Sequence, residues 1–242
     1  MNKSFRIPDN MLFDGQIPAS AAGMELATMK AVESGLSEWQ RARLGKITGS
    51  CFNRVTRGRG GKGWSQTAET YLYDLIGEWM TMQPASKFTG NRATEWGELW
   101  EPQAINEYQF RTGRKVNRGK FYRAEKFRLV GCTPDGVGKR GLEVKCPLSY
   151  KNHLRTLISK EIPSEYQDQV NGHMLCTGRK KCDFVSFHPE MKRKEWQMIV
   201  IETDWNKLEM EELSDRLFEF ETWLISHLDE LDIDWRNPNY FN

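Results

Sequence analysis

CTPDGVGKRGLEVKCP, residues 132–147, reads as the end of one β-strand, a glycine-spaced turn at Gly136, Gly138 and Gly141, and a second strand over 142–146. Alternation along that second strand turns Leu142, Val144 and Cys146 one way and Glu143 and Lys145 the other. Asp135 lies in a Pro-Asp-Gly turn across the hairpin, with seven residues between it and Glu143. Two converging carboxylates repel, and Mg²⁺ is the usual partner for such oxygen ligands, with the Val144 carbonyl as a further donor. Lys145 beside them would stabilise a water losing its proton, or the charge growing on a phosphate. Carboxylates, metal and lysine together are a phosphodiester-hydrolysing set. Alternating E-x-K also describes any half-exposed strand. The Pro-Asp-Gly turn, the separation of the acids across a hairpin and the tight apolar flanks favour a site.

Working outward, 37–40 (SEWQ) fits a capping box that opens a helix, and a second helix starts at Thr48 or Ser50. Residues 1–30 read as a loop-like arm with one short helix, and 57–63 (RGRGGKG) as a flexible basic loop. Ala68, Leu72, Leu75, Ile76 and Trp79 recur at helical spacing and predict a helix over 66–82. A further helix covers about 92–110, with a kink or a new start at Pro102. Strands are expected at 115–122 and 128–132, helices at 149–160 and from Ser164 to a stop at Gly178, and a hairpin at 184–187 and 196–201. Leu213, Leu217, Phe220, Leu224 and Leu228 mark an amphipathic C-terminal helix over 205–231. This order predicts one α/β domain over 1–242 with a central mixed β-sheet flanked by helices.

The chain has 242 residues, and 12 % are aromatic, which argues against disorder. No run reaches the length of a membrane span, and 1–15 lacks the apolar core of a signal peptide, so the expected location is the cytoplasm. The five cysteines include no C-x-x-C pair and the four histidines lack metal-ligand spacing, so any metal should bind to oxygen. Net charge is only +2, yet 111–128 holds eight basic residues against Glu125, while 202–234 is rich in acids. That asymmetry describes either two solvated faces or a polyanion-binding face with an acidic outer face.

PDG…EVKCP is the PD-(D/E)-x-K signature, and the chain over roughly 30–235 resembles the phage lambda exonuclease family of viral recombinases. The resemblance rests on an ordered set: EWQRARLGKITGS (38–50), WGELWE (96–101), CTPDG, LEVKCP, YQDQVNGHM (166–174), and HPEMKRKEW followed by QMIVIE. It implies a restriction-endonuclease-like core and 5′-to-3′ digestion of one strand of duplex DNA. It implies Asp135 and Glu143 as ligands of a Mg²⁺ pair that Mn²⁺ could replace, with Lys145 orienting or activating the attacking water. Glu101 would stand beside Lys145, Gln169 would position the nucleophile or scissile phosphate, and Tyr166 would be its neighbour on one helical face.

Arg43, Ser50 and Thr133 would form the pocket for the 5′-terminal phosphate. Arg offers a bidentate fork, and Ser50 near a helix N-terminus would offer free N–H groups. Pro102 directly after Glu101 departs from the pattern and bears on the pose of Glu101. The family also implies a ring-shaped homotrimer, double-stranded DNA ends as substrate, and a single-strand annealing recombinase as partner. A structure- or site-specific endonuclease of the same superfamily is the main alternative, and a DNA-binding module with a dead nuclease core is the other.

Overall fold

The computed structural model describes residues 36–85, 91–237 and 240. The expected arm over 1–30 lies outside the described residues. The fold described below is carried by the unit Glu38–Phe241.

Six α-helices and eight strands make up the described part: α1 (Glu38–Arg43), β1 (Ile47–Thr48), α2 (Gln66–Thr81), α3 (Arg92–Thr112), β2 (Asn117–Arg118), β3 (Tyr122–Arg123), β4 (Val130–Cys132), β5 (Gly136–Val137), β6 (Gly141–Lys145), α4 (Tyr150–Ser159), α5 (Ser164–Thr177), β7 (Lys181–Phe187), β8 (Met198–Asp204) and α6 (Lys207–Glu230). The main sheet has the order β2-β5-β6-β7-β8, with β6 and β7 parallel and the other pairs antiparallel. A smaller sheet, β1-β4-β3, pairs β1 parallel and β3 antiparallel with β4. The expected α/β architecture, a mixed sheet flanked by helices, is what forms.

Strand alternation assigns the two faces of the main sheet. Leu142 and Val144 of β6, with Val185 and Phe187 of β7, pack with Ala104 and Tyr108 of α3. Cys182 and Phe184 of β7 pack on the other side with Val170 and Met174 of α5. Glu143 pairs in register with Phe184, so it shares the α5 face. A third core joins α2 and α6 to the small sheet, and Leu213, Leu217, Phe220, Leu224 and Leu228 are all fully buried there. Apolar helical spacing thus located α2 and α6 to within one or two residues.

Three local expectations are corrected. The strand predicted over 115–122 divides in two, because Gly119 passes against the 133–135 turn. A Cβ at Gly119 would lie 1.6 Å from the Pro134 carbonyl oxygen, so the chain there crosses from one sheet to the other. The helix expected at Thr48 or Ser50 is a six-residue 3₁₀ turn, Gly49–Arg54. Pro102 neither breaks nor restarts α3, which runs unbroken through it. Pro102 is on the exposed side, where water can satisfy the freed Glu98 carbonyl. Asn91 caps that helix by accepting from the Ala93 and Thr94 amides at 3.0 and 2.9 Å.

Candidate active site

The hairpin of β5 and β6 holds the two acids rigidly. The Asp135 amide donates to the Leu142 carbonyl at 3.1 Å, and its carboxylate Oδ2 accepts the Val144 amide proton at 2.6 Å. Glu143 is only 1 % exposed. Its Oε1 lies 2.5 Å from Lys145 Nζ and its Oε2 lies 3.4 Å from His173 Nε2. Glu143 Oε1 is thus held in an ion pair with Lys145, and Oε2 has only the more distant His173 ring beside it. A half-exposed strand with no chemistry would not bury its acid in this way.

The protonation equilibria reflect that crowding. Burial, and then the Glu143 charge, push the Asp135 carboxyl well above the usual carboxylate range, against the pull of Lys145 and the Val144 amide. Burial followed by Glu143 also raises Glu101, while Arg118 and Lys145 oppose it. Burial alone would lower the Lys145 ammonium, but the Glu143 and Asp135 carboxylates outweigh it and hold Lys145 above the ordinary lysine value. The donor set fits a hard divalent cation: a buried Glu143 carboxylate balanced by Lys145 alone, and an acid beside it that resists ionising without a further counter-charge. Asp135 and Glu143 are the residues that would hold it.

Helix α5 supplies the roof. Tyr166 stacks on Phe184 at 5.6 Å between centroids, and Lys145 Nζ sits 4.9 Å from the Tyr166 ring centroid. Gln169 is half-buried one turn further along, and its side chain makes no hydrogen bond among the described residues. His173 was not foreseen. It is fully buried against Glu143, and burial lowers its pKa although the Glu143 charge opposes this. The signal was present, since 166, 169 and 173 recur at the spacing of one helical face.

A second cluster forms beside the acids. Arg43 Nη1 donates to Thr133 Oγ1 at 3.4 Å, and Nη2 donates to Ser50 Oγ at 3.2 Å and Thr48 Oγ1 at 3.5 Å. The guanidinium lies over Trp39, 4.6 Å from its centroid, and burial lowers its pKa. The three expected phosphate-pocket residues therefore come together, with Thr48 and Trp39 added. Ser50 does not cap an α-helix: the 3₁₀ turn is too short for a sizeable dipole, so the cluster's positive charge is that of Arg43. Thr133 and Asp135 are two residues apart, about 7 Å of extended chain, which sets this cluster next to the acids.

The basic run over 111–128 is partly spent on structure. Arg111 pairs with Glu107, Arg114 with Asp183 and Glu202, and Arg128 stacks over Trp235. Among the described residues no helix is long and apolar enough to cross a membrane. The five cysteines are free thiols.

Residues 38–180 match the model of the YqaJ-like viral recombinase domain, more than half of the chain. The chain belongs to the YqaJ-like viral recombinase family. Its fold is similar to that of the alkaline exonuclease LHK-Exo from Laribacter hongkongensis, with a TM-score of 0.72 and 27 % identity over 81 % of this chain and 95 % of that one. The same enzyme in complex with dAMP matches at 26 % identity and a TM-score of 0.72, over 80 % of this chain and 95 % of that one. A phage-related exonuclease from Haemophilus somnus 129PT shares the fold at 14 % identity and a TM-score of 0.64, over 77 % of this chain and 96 % of that one. No curated protein matches the chain. Family and neighbours agree with the lambda-exonuclease-type resemblance and with a PD-(D/E)-x-K core.

Proposed function

We propose that this YqaJ-family protein is a DNA nuclease: a divalent-metal-dependent 5′-to-3′ exodeoxyribonuclease that digests one strand of linear duplex DNA to 5′-mononucleotides. The 3′ single-stranded overhangs left behind would feed phage-type recombination by strand annealing. The observation that carries this reading is the Arg43–Ser50–Thr133 cluster lying beside the Asp135–Glu143–Lys145 hairpin. An endonuclease has no need of a terminal-phosphate pocket next to its acids. The family membership and the exonuclease neighbours support the same conclusion.

In this mechanism the 5′-terminal phosphate displaces the hydroxyl contacts of Arg43 and accepts its forked N–H groups. The next phosphodiester then lies over the acids. Asp135, Glu143 and the Val144 carbonyl would hold Mg²⁺, as two ions with Mn²⁺ able to substitute, and the metal would supply electrophilic stabilisation of the phosphate oxygens and the leaving group. Lys145 stays charged between its carboxylate neighbours, so it orients the attacking water and offsets charge on the phosphate rather than accepting a proton. Glu101, whose pKa burial and then the Glu143 charge raise, would accept the water's proton. Gln169 and Tyr166 on α5 hold the scissile phosphate and the lysine in position. The water oxygen bonds to phosphorus, the P–O3′ bond breaks, and the shortened strand presents a new 5′-phosphate to Arg43.

The reading takes the chain as one nuclease domain over 1–242, working as a ring-shaped homotrimer in the bacterial cytoplasm with a single-strand annealing protein as partner. Its test compares initial rates on linear duplex with a 5′-phosphate, linear duplex with a 5′-hydroxyl, and a closed circle. Fast digestion of the first and resistance of the circle are expected. Rapid cutting of the circle overturns the exonuclease reading in favour of an endonuclease.

A further inference from the structure

At the opposite end of β6 from Lys145 is a cavity of about 680 Å³, lined by Tyr108, Arg114, Lys115, Lys139, Arg140 and Lys181 among others. Five of these side chains are cationic. Arg140 is three residues from Glu143 along the strand, about 10 Å, so the cavity sits at the turn of the hairpin, beyond its acids.

Its walls are built around one buried acid. Asp183 is fully buried and accepts from Tyr108 Oη at 2.6 Å, from Arg114 Nη1 at 2.7 Å and from Arg140 Nε at 2.5 Å. Arg140 also donates to the Cys182 and Thr203 carbonyls, at 3.3 and 3.1 Å. Both guanidiniums are thereby fixed in place. Glu202 and Asp204, on the open side, pair with Arg114, Arg140 and Lys181. Three acids against five cations leave two positive charges unmatched. Lys115 and Lys139 make no ion pair or hydrogen bond among the described residues and are exposed. The turn that carries Lys139 is held tightly against Lys115: the Gly138 amide donates to the Arg140 carbonyl at 2.9 Å, and a Cβ on Gly138 would lie 2.3 Å from the Lys115 carbonyl oxygen. Two unpaired ammonium groups thus stand at the rim of a cavity with pinned guanidiniums in its wall.

We infer that this cavity is a second nucleotide-phosphate site, separate from the Arg43 pocket. Its volume falls in the range of small-molecule sites and exceeds what a lone ion needs. Arg114 and Arg140, held by the wall acids, shape the cavity, and Lys115 and Lys139 supply to phosphate oxygens the charge that those acids leave unopposed. The inference rests on the nucleic-acid reading of the active site for its ligand class. The phosphate belongs either to the backbone of a strand held away from the acids or to a free mononucleotide.

The test is fluorescence anisotropy with a labelled twelve-nucleotide oligothymidylate in EDTA, where no hydrolysis occurs, with dAMP as competitor. The Lys115→Gln/Lys139→Gln variant should bind the strand at least tenfold more weakly. Its log K against log salt should be shallower by about 1.4, two phosphates at roughly 0.7 each for a single strand. Its kcat on saturating short duplex should equal that of the wild type. Displacement of the strand by dAMP at comparable concentration makes the ligand a mononucleotide, and failure to displace makes it a strand backbone. Unchanged affinity and slope, or a kcat that falls with affinity, overturns the inference. Because the binding arms need no turnover, they fail independently of the exonuclease reading.

Discussion

Asp135 Oδ2 accepts the Val144 amide proton at 2.6 Å, so the same carboxylate that faces Glu143 also ties the hairpin together. This changes what its removal does. Repulsion alone would let Asp135→Ala raise stability slightly. The orphaned Val144 amide instead costs about 1–3 kcal/mol, which cancels or exceeds that gain. Asp135→Ala and Glu143→Ala should each reduce release of acid-soluble nucleotides by more than a hundredfold with Mg²⁺, with DNA binding retained. Thermal unfolding should show Asp135→Ala no more stable than wild type, and Mg²⁺ should raise the melting temperature of wild type but of neither acid variant. Near wild-type hydrolysis by either variant removes the acids from the site.

Lys145 variants should separate hydrolysis from metal binding. Its ammonium is no ligand, so Lys145→Ala should lose most of the hydrolysis rate while Mg²⁺ still raises its melting temperature. Lys145→Arg should not restore the rate, because the guanidinium is bulkier and spreads its charge where Glu143 and the Tyr166 ring leave room for a compact ammonium. A Lys145→Ala protein that no longer responds to Mg²⁺ would make the lysine a prop for the carboxylates.

Gly172 couples the roof helix to the Arg43 cluster. It lies in α5 between Gln169 and His173, and a Cβ there would meet Phe52 Cε2 at 2.3 Å, in the same 3₁₀ turn that carries Ser50. Phe52 is fully buried and has no room to retreat. Gly172→Ala should therefore destabilise by about 1–3 kcal/mol despite the better helix propensity of Ala, measured by urea unfolding. A stabilised variant would mean that α5 and the turn are not in contact.

Lys46 gives stability a pH dependence remote from the acids. Its Nζ lies 4.8 Å from the Trp79 ring centroid, and burial followed by the nearby Arg123 pushes its pKa down to about 8, against Glu221. The unfolded chain keeps this proton to about 10.5. From about pH 8 to 10.5 the unfolded state binds more protons, so this group makes stability rise with pH; below 8 its cost is constant. Lys46→Met should be more stable than wild type below pH 8 by about 1 kcal/mol after screening, roughly 2–4 °C, and the difference should shrink toward pH 10.5. A difference that does not vary with pH excludes Lys46 as its source.

The hairpin, α2 and α6 were legible because each follows a period, two for the strand and 3.6 for the helices. The Arg43 cluster was legible only through resemblance: Arg43 and Thr133 are 90 residues apart, and no local pattern links them. What stayed hidden depends on tertiary approach. Gly119 permits a crossing between sheets that its alternating neighbours conceal, and Pro102 is harmless only because its face of α3 is wet. His173 reads as an ordinary helix residue until α5 is laid on β6. The basic run over 111–128 looked like one surface, yet Asp183, from a strand some seventy residues later, draws Arg114 into a wall.

End recognition is the property that Arg43 should control. A 5′-terminal phosphate carries about two negative charges, against one for an internal phosphodiester. The guanidinium already spans Thr133, Thr48 and Ser50 and is braced by Trp39, so it is in place before the phosphate arrives. A charge-assisted contact of about 1.5–3 kcal/mol corresponds to roughly a ten- to hundredfold preference for the phosphorylated end. Arg43→Ala should slow digestion of the 5′-phosphate duplex by that factor and leave the 5′-hydroxyl duplex nearly unchanged. Ser50→Ala removes a single neutral donor and should cost less than tenfold. Both are read from initial rates at one salt concentration, since phosphate contacts weaken with salt. If Arg43→Ala slows both ends equally, the arginine holds DNA in general and the register of cleavage is set elsewhere.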